Sequence, residues 1–489
     1  MTTESWTVLG VAGIYLAVCV VLGTLSSRGA KASTEGYVAG DRSLGVLLMY
    51  FVTGATIFSA FAFLGLPGWT YSRGAAAFYI LGYGALGFVP FYFLGPRAAR
   101  VGKKRGFVTQ ASMVSARFDS RGLAVLMAIV SAVAFVPYLA IQMKGAGLVL
   151  AAVTDGAIPE AVGAAIVYSV VLFYVLKSGV LGVAWTNTFQ GIFMIVLAWG
   201  LGLYVPTVLH GGVEAMFRSL SDARPELLTA PGLTSGGEAW SFSEYSSAIV
   251  VSIVGFSAWP HLFMKAFTAK RPETIRRTVV LYPTFQIFLL PLFLVGFAAV
   301  GFEPAPARAD QVLPHVLMHL ELPAVVVGLF CAGALAASMS SGDAMVHAVA
   351  SITVRDGWVA GMRRALSPAG ELLAIRWLVV VYVLLSYALA VVYQGSLVFL
   401  LLTAYGAVVQ FMPLLVATLY LRSVSRAGAL AGLSAGFVVT TLFVAWPEAR
   451  PFAVHAGLYG LIANVACMAG VSRFTAPPED AASFLGDTL

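Results

Sequence analysis

Two apolar, membrane-length segments of this chain are interrupted, and the interruptions constrain its fold more than any other feature. Val52 to Trp69, VTGATIFSAFAFLGLPGW, carries Gly54, Gly65, Pro67 and Gly68, a density of helix breakers unusual for a plain anchor. Far downstream, VGFSAWPH from Val254 to His261 repeats the pattern. In lipid every backbone polar group needs an internal partner, so a broken helix survives only where its freed groups face protein, an ion or a water-filled cavity. Two such segments at corresponding places in two halves of a chain imply a transporter with its binding site near mid-membrane.

A chain of 489 residues that is 60% hydrophobic and 10% charged, with a mean hydropathy of +0.89, does not form a soluble globule. We read an all-α polytopic membrane protein with thirteen spans: about 8–25, 50–69, 75–95, 123–153, 161–176, 183–209, 247–267, 279–300, 323–352, 378–393, 397–421, 429–445 and 452–471. The first is too long for a signal-peptide core, and its basic residues lie behind it, so it is expected to be retained. Placing the N-terminus outside puts the C-terminus in the cytoplasm, at the plasma membrane. Of the 29 Lys and Arg, only Arg73, Arg218, Arg224, Arg308 and Arg450 then fall in outer loops and Lys144 in a span; the rest are cytoplasmic. The densest runs, Arg97 to Arg105 and Lys265 to Arg277, read as topology anchors; no nucleic-acid partner is implied.

Cys19, Cys331 and Cys467 fall in spans and imply no disulfide. His315 and His319 share a helix face without a nearby Cys, Asp or Glu cluster, which points to a solvated face rather than a metal site. Phosphate loops, nucleophile elbows and dinucleotide fingerprints are missing from the sequence, and the chain ends 18 residues after the last span, so no enzyme is expected.

Several motifs resemble the sodium:solute symporter family: EGYVAGDRSLG (Glu35 to Gly45), GLPG (Gly65 to Gly68), AWTNTFQG (Ala184 to Gly191), WPHLFMKAFTAKRP (Trp259 to Pro272), ALAASMSSGDA (Ala334 to Ala344) and RAGALAGLSAG (Arg426 to Gly436). The resemblance covers nearly the whole chain in the expected order. It implies a single membrane domain, 1–489, of the LeuT type. Its core would be two inverted five-helix repeats, 50–209 and 247–421, with an extra helix at 8–25 in front and two at 429–471 behind.

A bare sodium ion takes hard oxygen ligands, which a broken helix supplies as carbonyls and a facing helix as hydroxyls. Carried over residue by residue, the family's ion site falls on the carbonyls of Ala55, Phe58 and Ala337 and the hydroxyls of Ser340 and Ser341. Those serines could instead bond back one turn or pack a small-residue interface. Adjacent serines point about 100° apart on a helix, so packing alone does not explain the pair.

Ser340, Asp343 and His347 lie on one face of the ninth span, and an intramembrane carboxylate is functional by default. Asp343 could attract an inward-moving cation, an Asp343/His347 pair could carry a proton, or the face could simply be reached by water. Many family members carry Asp where this chain has Asn187. That departure weakens sodium coupling as an inference and makes proton coupling or uniport a competitor.

Lys144 lies about 9 Å outward of the fourth span's centre, and Asp343 a similar distance the other way, so they cannot pair. Lys144 either matches a substrate carboxylate or reaches the outer interface on its long stem. Gln142 is on nearly the opposite helix face, and we expect it to face the cavity. Ser59, Trp259 and Tyr405 are further substrate candidates, each with a packing alternative.

These observations imply a cation-coupled importer, with sodium as coupling ion and a small organic solute and the lipid bilayer as its partners. The similarity of PYLAIQMKG and AWTNTFQ to a bacterial branch associated with short monocarboxylates, and the spare positive charge, point to such a substrate. An amino acid or pantothenate is the alternative within the class, and a transporter-like solute receptor the alternative outside it.

Overall fold

The protein is seen in a computed structural model that describes residues 3–25, 34–320, 322–361 and 366–489. The described residues are almost wholly helical, with two isolated backbone bridges and no named strand. We label the helices that build the bundle α1 (Thr3–Leu25), α2 (Val46–Ile57), α3 (Leu66–Arg73), α4 (Phe78–Gly87), α5 (Val89–Arg105), α6 (Arg121–Val153), α7 (Glu160–His210), α8 (Phe242–Phe256) and α9 (Pro260–Phe263). They continue as α10 (Pro272–Gln286), α11 (Leu289–Ala298), α12 (Ala324–Ile352), α13 (Pro368–Val392), α14 (Leu397–Val408), α15 (Phe411–Tyr420), α16 (Arg426–Ala445), α17 (Ala456–Ser472) and α18 (Ala481–Gly486).

By length and apolarity, 10 helices among the described residues are able to cross a membrane, or 11 if α8 and the bent segment Pro260–Thr268 are one span. α2 and α17 are shorter apolar helices beside them. The thirteen expected is larger than this count, in part because Phe61–Arg105 forms one 45-residue stretch where the sequence separates two spans.

Both anticipated interruptions are present, but the first is not where the breakers stand. The backbone leaves α2 at Phe58 (φ −82°, ψ 78°), before a π-turn over Phe61–Gly65 and the resumption in α3. The glycines serve close approach instead. A Cβ on Gly54 would strike the Phe285 ring, and one on Gly68 would lie 2.6 Å from the Ala309 carbonyl oxygen. Pro67 sits in the first turn of α3, where its missing N–H costs nothing. The break itself is stabilised by tertiary hydrogen bonding: Ala60 N–H donates to Gln142 Oε1 on α6 at 2.9 Å. Stripped of that acceptor, a buried amide would cost about 1–3 kcal/mol.

The second break bends α8 against the following residues by 41° at Ser257–Trp259, and Ser257 donates its hydroxyl to the Gly87 carbonyl at 2.7 Å. The expected fifth and sixth spans are both present within α7, as Glu160–Lys177 and Gly179–His210, separated by a non-helical kink at Gly179 (φ 58°, ψ −156°), which lies against Tyr37. α12 carries the small-residue run Ala332 to Ala344 and packs on α1, α6 and α7. That arrangement brings the Ser340 region against the first break.

The basic run at the end of α5 does more than anchor topology. Arg105 pairs with Asp480 at 2.8 Å and Asp487 at 2.6 Å, Lys104 pairs with Asp487, and the Arg105 guanidinium lies over the Phe484 ring. These contacts hold α18 against α5. Arg105 keeps the Asp480 carboxyl below the usual carboxylate range, and Lys104 and Arg105 do the same for Asp487.

Candidate functional site

The first break meets α12 in a cluster of oxygens. Ser340 donates its hydroxyl to the Ala55 carbonyl at 2.9 Å and reaches the Ala337 carbonyl at 3.3 Å. Ser341 donates to the Thr56 carbonyl at 2.7 Å. Neither serine bonds only within its own helix, because α12 lies close enough to α2 to take over that helix's last-turn carbonyls. Phe58 is the residue at which the backbone turns away from them.

Asn187, on α7, closes the cluster from a third side. Its amide nitrogen donates to Thr56 Oγ1 at 3.1 Å and to the Ser340 carbonyl at 2.8 Å, while its Oδ1 has no partner. Both partners of the nitrogen accept here, so the amide spans two lone-pair donors as a cation would. A carboxylate could not do so, since it has no hydrogen to offer the Ser340 carbonyl. Thr56 escaped sequence reasoning, although its place beside Ala55 in the last turn before the break was the available signal.

One turn further along α12, Asp343 accepts from the Tyr174 hydroxyl at 2.9 Å and leaves its Oδ1 unpartnered. The His347 ring instead bonds the Tyr37 carbonyl through Nε2 at 3.0 Å and lies on the Tyr37 ring. Asp343 and His347 thus face separate neighbours, α7 and the Tyr37 segment. Lys265, part of a basic run in the sequence, is buried and is a charge neighbour of Asp343.

The two breaks are joined by aromatic rings. Tyr138 on α6 has Ser59 beside its hydroxyl and stands 4.9 Å from the Trp259 ring; Trp259 meets Tyr405 edge-on at 5.6 Å. From Tyr405 the column continues through Tyr83 at 5.6 Å, Tyr79 at 5.3 Å and Trp69 at 5.5 Å. Ser59, Trp259 and Tyr405 are all buried in this column. Gln142 is buried too, its amide engaged by Ala60 N–H and the Tyr138 carbonyl.

Lys144 is turned elsewhere. Its ammonium bonds the Tyr393 carbonyl and lies 5.8 Å from that ring, in a cavity of about 200 Å³ shared with Glu160 and Gln394. Glu160 is itself paired with Arg308.

A bundle of apolar helices with two broken members, an oxygen cluster at one break and an aromatic column leading to both defines a membrane transporter. The sodium:solute symporter family model matches residues 37–436, so the chain belongs to that family. It is 29% identical to the uncharacterized symporter YhjB of Bacillus subtilis over 483 residues, covering 96% of this chain and 97% of the relative. It is 26% identical to a monocarboxylate transport permease protein of Rhizobium johnstonii over 485 residues, covering 95% and 96%. The fold matches that of a substrate-bound, outward-open Na+-coupled sialic acid symporter with a TM-score of 0.80 at 17% identity, covering 96% of this chain and 98% of the other.

Proposed function

We propose that this protein imports a small organic anion, best matched to a short monocarboxylate, by sodium-coupled alternating access. The observation that carries the coupling is the Ser340 hydroxyl set between the Ala55 and Ala337 carbonyls. The donor set of Ala55, Phe58, Ala337, Ser340 and Ser341 is neutral, hard and oxygen-only, which suits an alkali cation and not a soft or high-charge metal. The two serine hydroxyls can each turn their hydrogen away and present a lone pair. Bound there, the cation would draw the carbonyls of α2 and the hydroxyls of α12 into a single shell. These residues would thereby hold the broken helix against α12 and favour one orientation of the cavity.

The substrate would lie where the breaks meet, walled by Trp259 and Tyr405, with Ser59 at its polar end and Gln142 positioning the break. The two interruptions support division into repeats 50–209 and 247–421. The distribution of basic residues supports an outer face at the Arg73 end and a cytoplasmic face at the Arg105 end of a plasma-membrane protein. The monocarboxylate assignment is supported by the likeness to the monocarboxylate transport permease protein of Rhizobium johnstonii. Sodium-driven uptake of labelled propionate and pyruvate into proteoliposomes containing only this chain tests the reading. No flux under an inward sodium gradient rejects it.

A second reading has its own observation: Asp343 is buried with one oxygen unpartnered, so a proton could serve there in place of sodium. Uptake driven by a pH gradient in sodium-free buffer, lost in Asp343→Asn, would favour it.

A further inference from the structure

Above the aromatic column lies a vestibule of about 560 Å³ into which three arginines, Arg73, Arg224 and Arg308, project. Two of them are engaged: Arg224 pairs with Glu226 and Arg308 with Glu160. Among the described residues Arg73 forms no ion pair; its guanidinium stacks 4.3 Å from the centroid of the Trp69 ring. Stacking occupies the face of a guanidinium and leaves its N–H edge, which matches a carboxylate bidentately.

The acids nearby are committed elsewhere. Asp310 is a charge neighbour of Arg73 but does not pair with it: it accepts from Leu397 N–H at 3.2 Å, and burial pushes its carboxyl above the usual carboxylate range. Glu244 takes the Trp240 indole N–H at 3.1 Å. The backbone at Arg73 is pinned as well, since its carbonyl accepts from Leu233 N–H at 3.0 Å. A loosely held surface arginine would have none of this support.

We propose that Arg73 and Trp69 form a carboxylate-capture site in the vestibule, where an anionic substrate docks before it enters the column that ends at Trp259. The site rests on the reading of this chain as a transporter of organic anions. Its location follows from Trp69, which is both the stacking platform for Arg73 and the first ring of the column. Capture there would raise the local concentration of anions at the cavity mouth and discriminate against neutral and cationic solutes before closure.

The test uses the full chain with Cys467→Ser and a single exposed reporter, Ser72→Cys, one residue from Arg73. The native Cys19 and Cys331 are buried and stay silent. Modification by a negatively charged sulfonatoethyl thiosulfonate, each rate taken relative to that with a free thiol, should be several-fold faster than by its trimethylammonium counterpart, and millimolar propionate should slow it. Arg73→Gln should abolish both effects, and Arg73→Lys should keep the charge preference but weaken the propionate protection. An unchanged preference in Arg73→Gln, or equal slowing by propionate and its neutral amide, overturns the proposal. Labelled propionate uptake is read separately, with an expected several-fold rise in KM and an unchanged kcat in Arg73→Gln. If wild type takes up no monocarboxylate, the substrate reading falls, while the labelling result still decides the anion site.

Discussion

Ser340 on α12 and Ala55 on α2, 285 residues apart in the chain, are joined by a hydroxyl-to-carbonyl hydrogen bond of 2.9 Å. A serine in a helix ordinarily returns its hydrogen bond to its own preceding turn. Here the stronger contact goes to the last turn before a break, so the position of α2 is coupled to that of α12 through one side chain.

If that contact marks the cation site, Ser340→Ala and Ser341→Ala should each weaken sodium affinity by about 1–2 kcal/mol, on the order of tenfold. Sodium titration of propionate uptake, normalised to reconstituted protein, reads this directly. Unaltered sodium dependence in both variants would remove the assignment.

Asn187→Asp should lower thermal stability in sodium-free buffer at neutral pH, because a carboxylate would face the Ser340 carbonyl without a hydrogen to share. A loss of about 1–3 kcal/mol is expected for a buried polar contact turned repulsive. Added sodium should restore much of it, as a cation can bridge the two acceptors. A melting midpoint equal to that of wild type with and without sodium would show that the amide nitrogen does not stand in for positive charge.

Lys144→Gln should reduce uptake of carboxylates and of neutral analogues to a similar, modest degree, since the ammonium is spent on the Tyr393 carbonyl. Paired KM measurements for propionate and propionamide decide this. Selective loss of propionate alone would return Lys144 to the role of substrate counter-charge.

The attachment of α18 should depend on acid. The carboxyls of Asp480 and Asp487 are held below their ordinary range by Arg105 and Lys104, so the unfolded, undocked segment binds protons more readily than the docked one. Their contribution is therefore complete above the free carboxylate value of about 3.9 and is lost as pH falls through the lower docked values. Hydrogen exchange over 481–486 should accelerate below about pH 4 and, at neutral pH, in Arg105→Gln. Exchange that is indifferent to both would show that the Phe484 packing alone holds the helix.

The sequence by itself determined the class. Apolar lengths, two interrupted segments and the adjacent serines of ALAASMSSGDA are local patterns, so a helical membrane bundle, its broken members and the approximate position of Ser340 and Ser341 could be read without tertiary contacts. The break points were less legible. Glycine and proline advertise the possibility of unwinding, yet the chain unwinds at Phe58, where Gln142 offers an acceptor to Ala60, and the glycines let neighbouring helices approach.

Only the tertiary structure decided which polar groups meet. Asn187 and Thr56 are 131 residues apart, and Lys144 and Tyr393 are 249 apart. Helical periodicity reports which face a residue occupies but not which distant helix that face will touch. The missing carboxylate at position 187 therefore reads in the sequence as a lost charge. In the fold it becomes an amide donating to two acceptors, because packing brings the carbonyl of Ser340 and the hydroxyl of Thr56 to the same nitrogen.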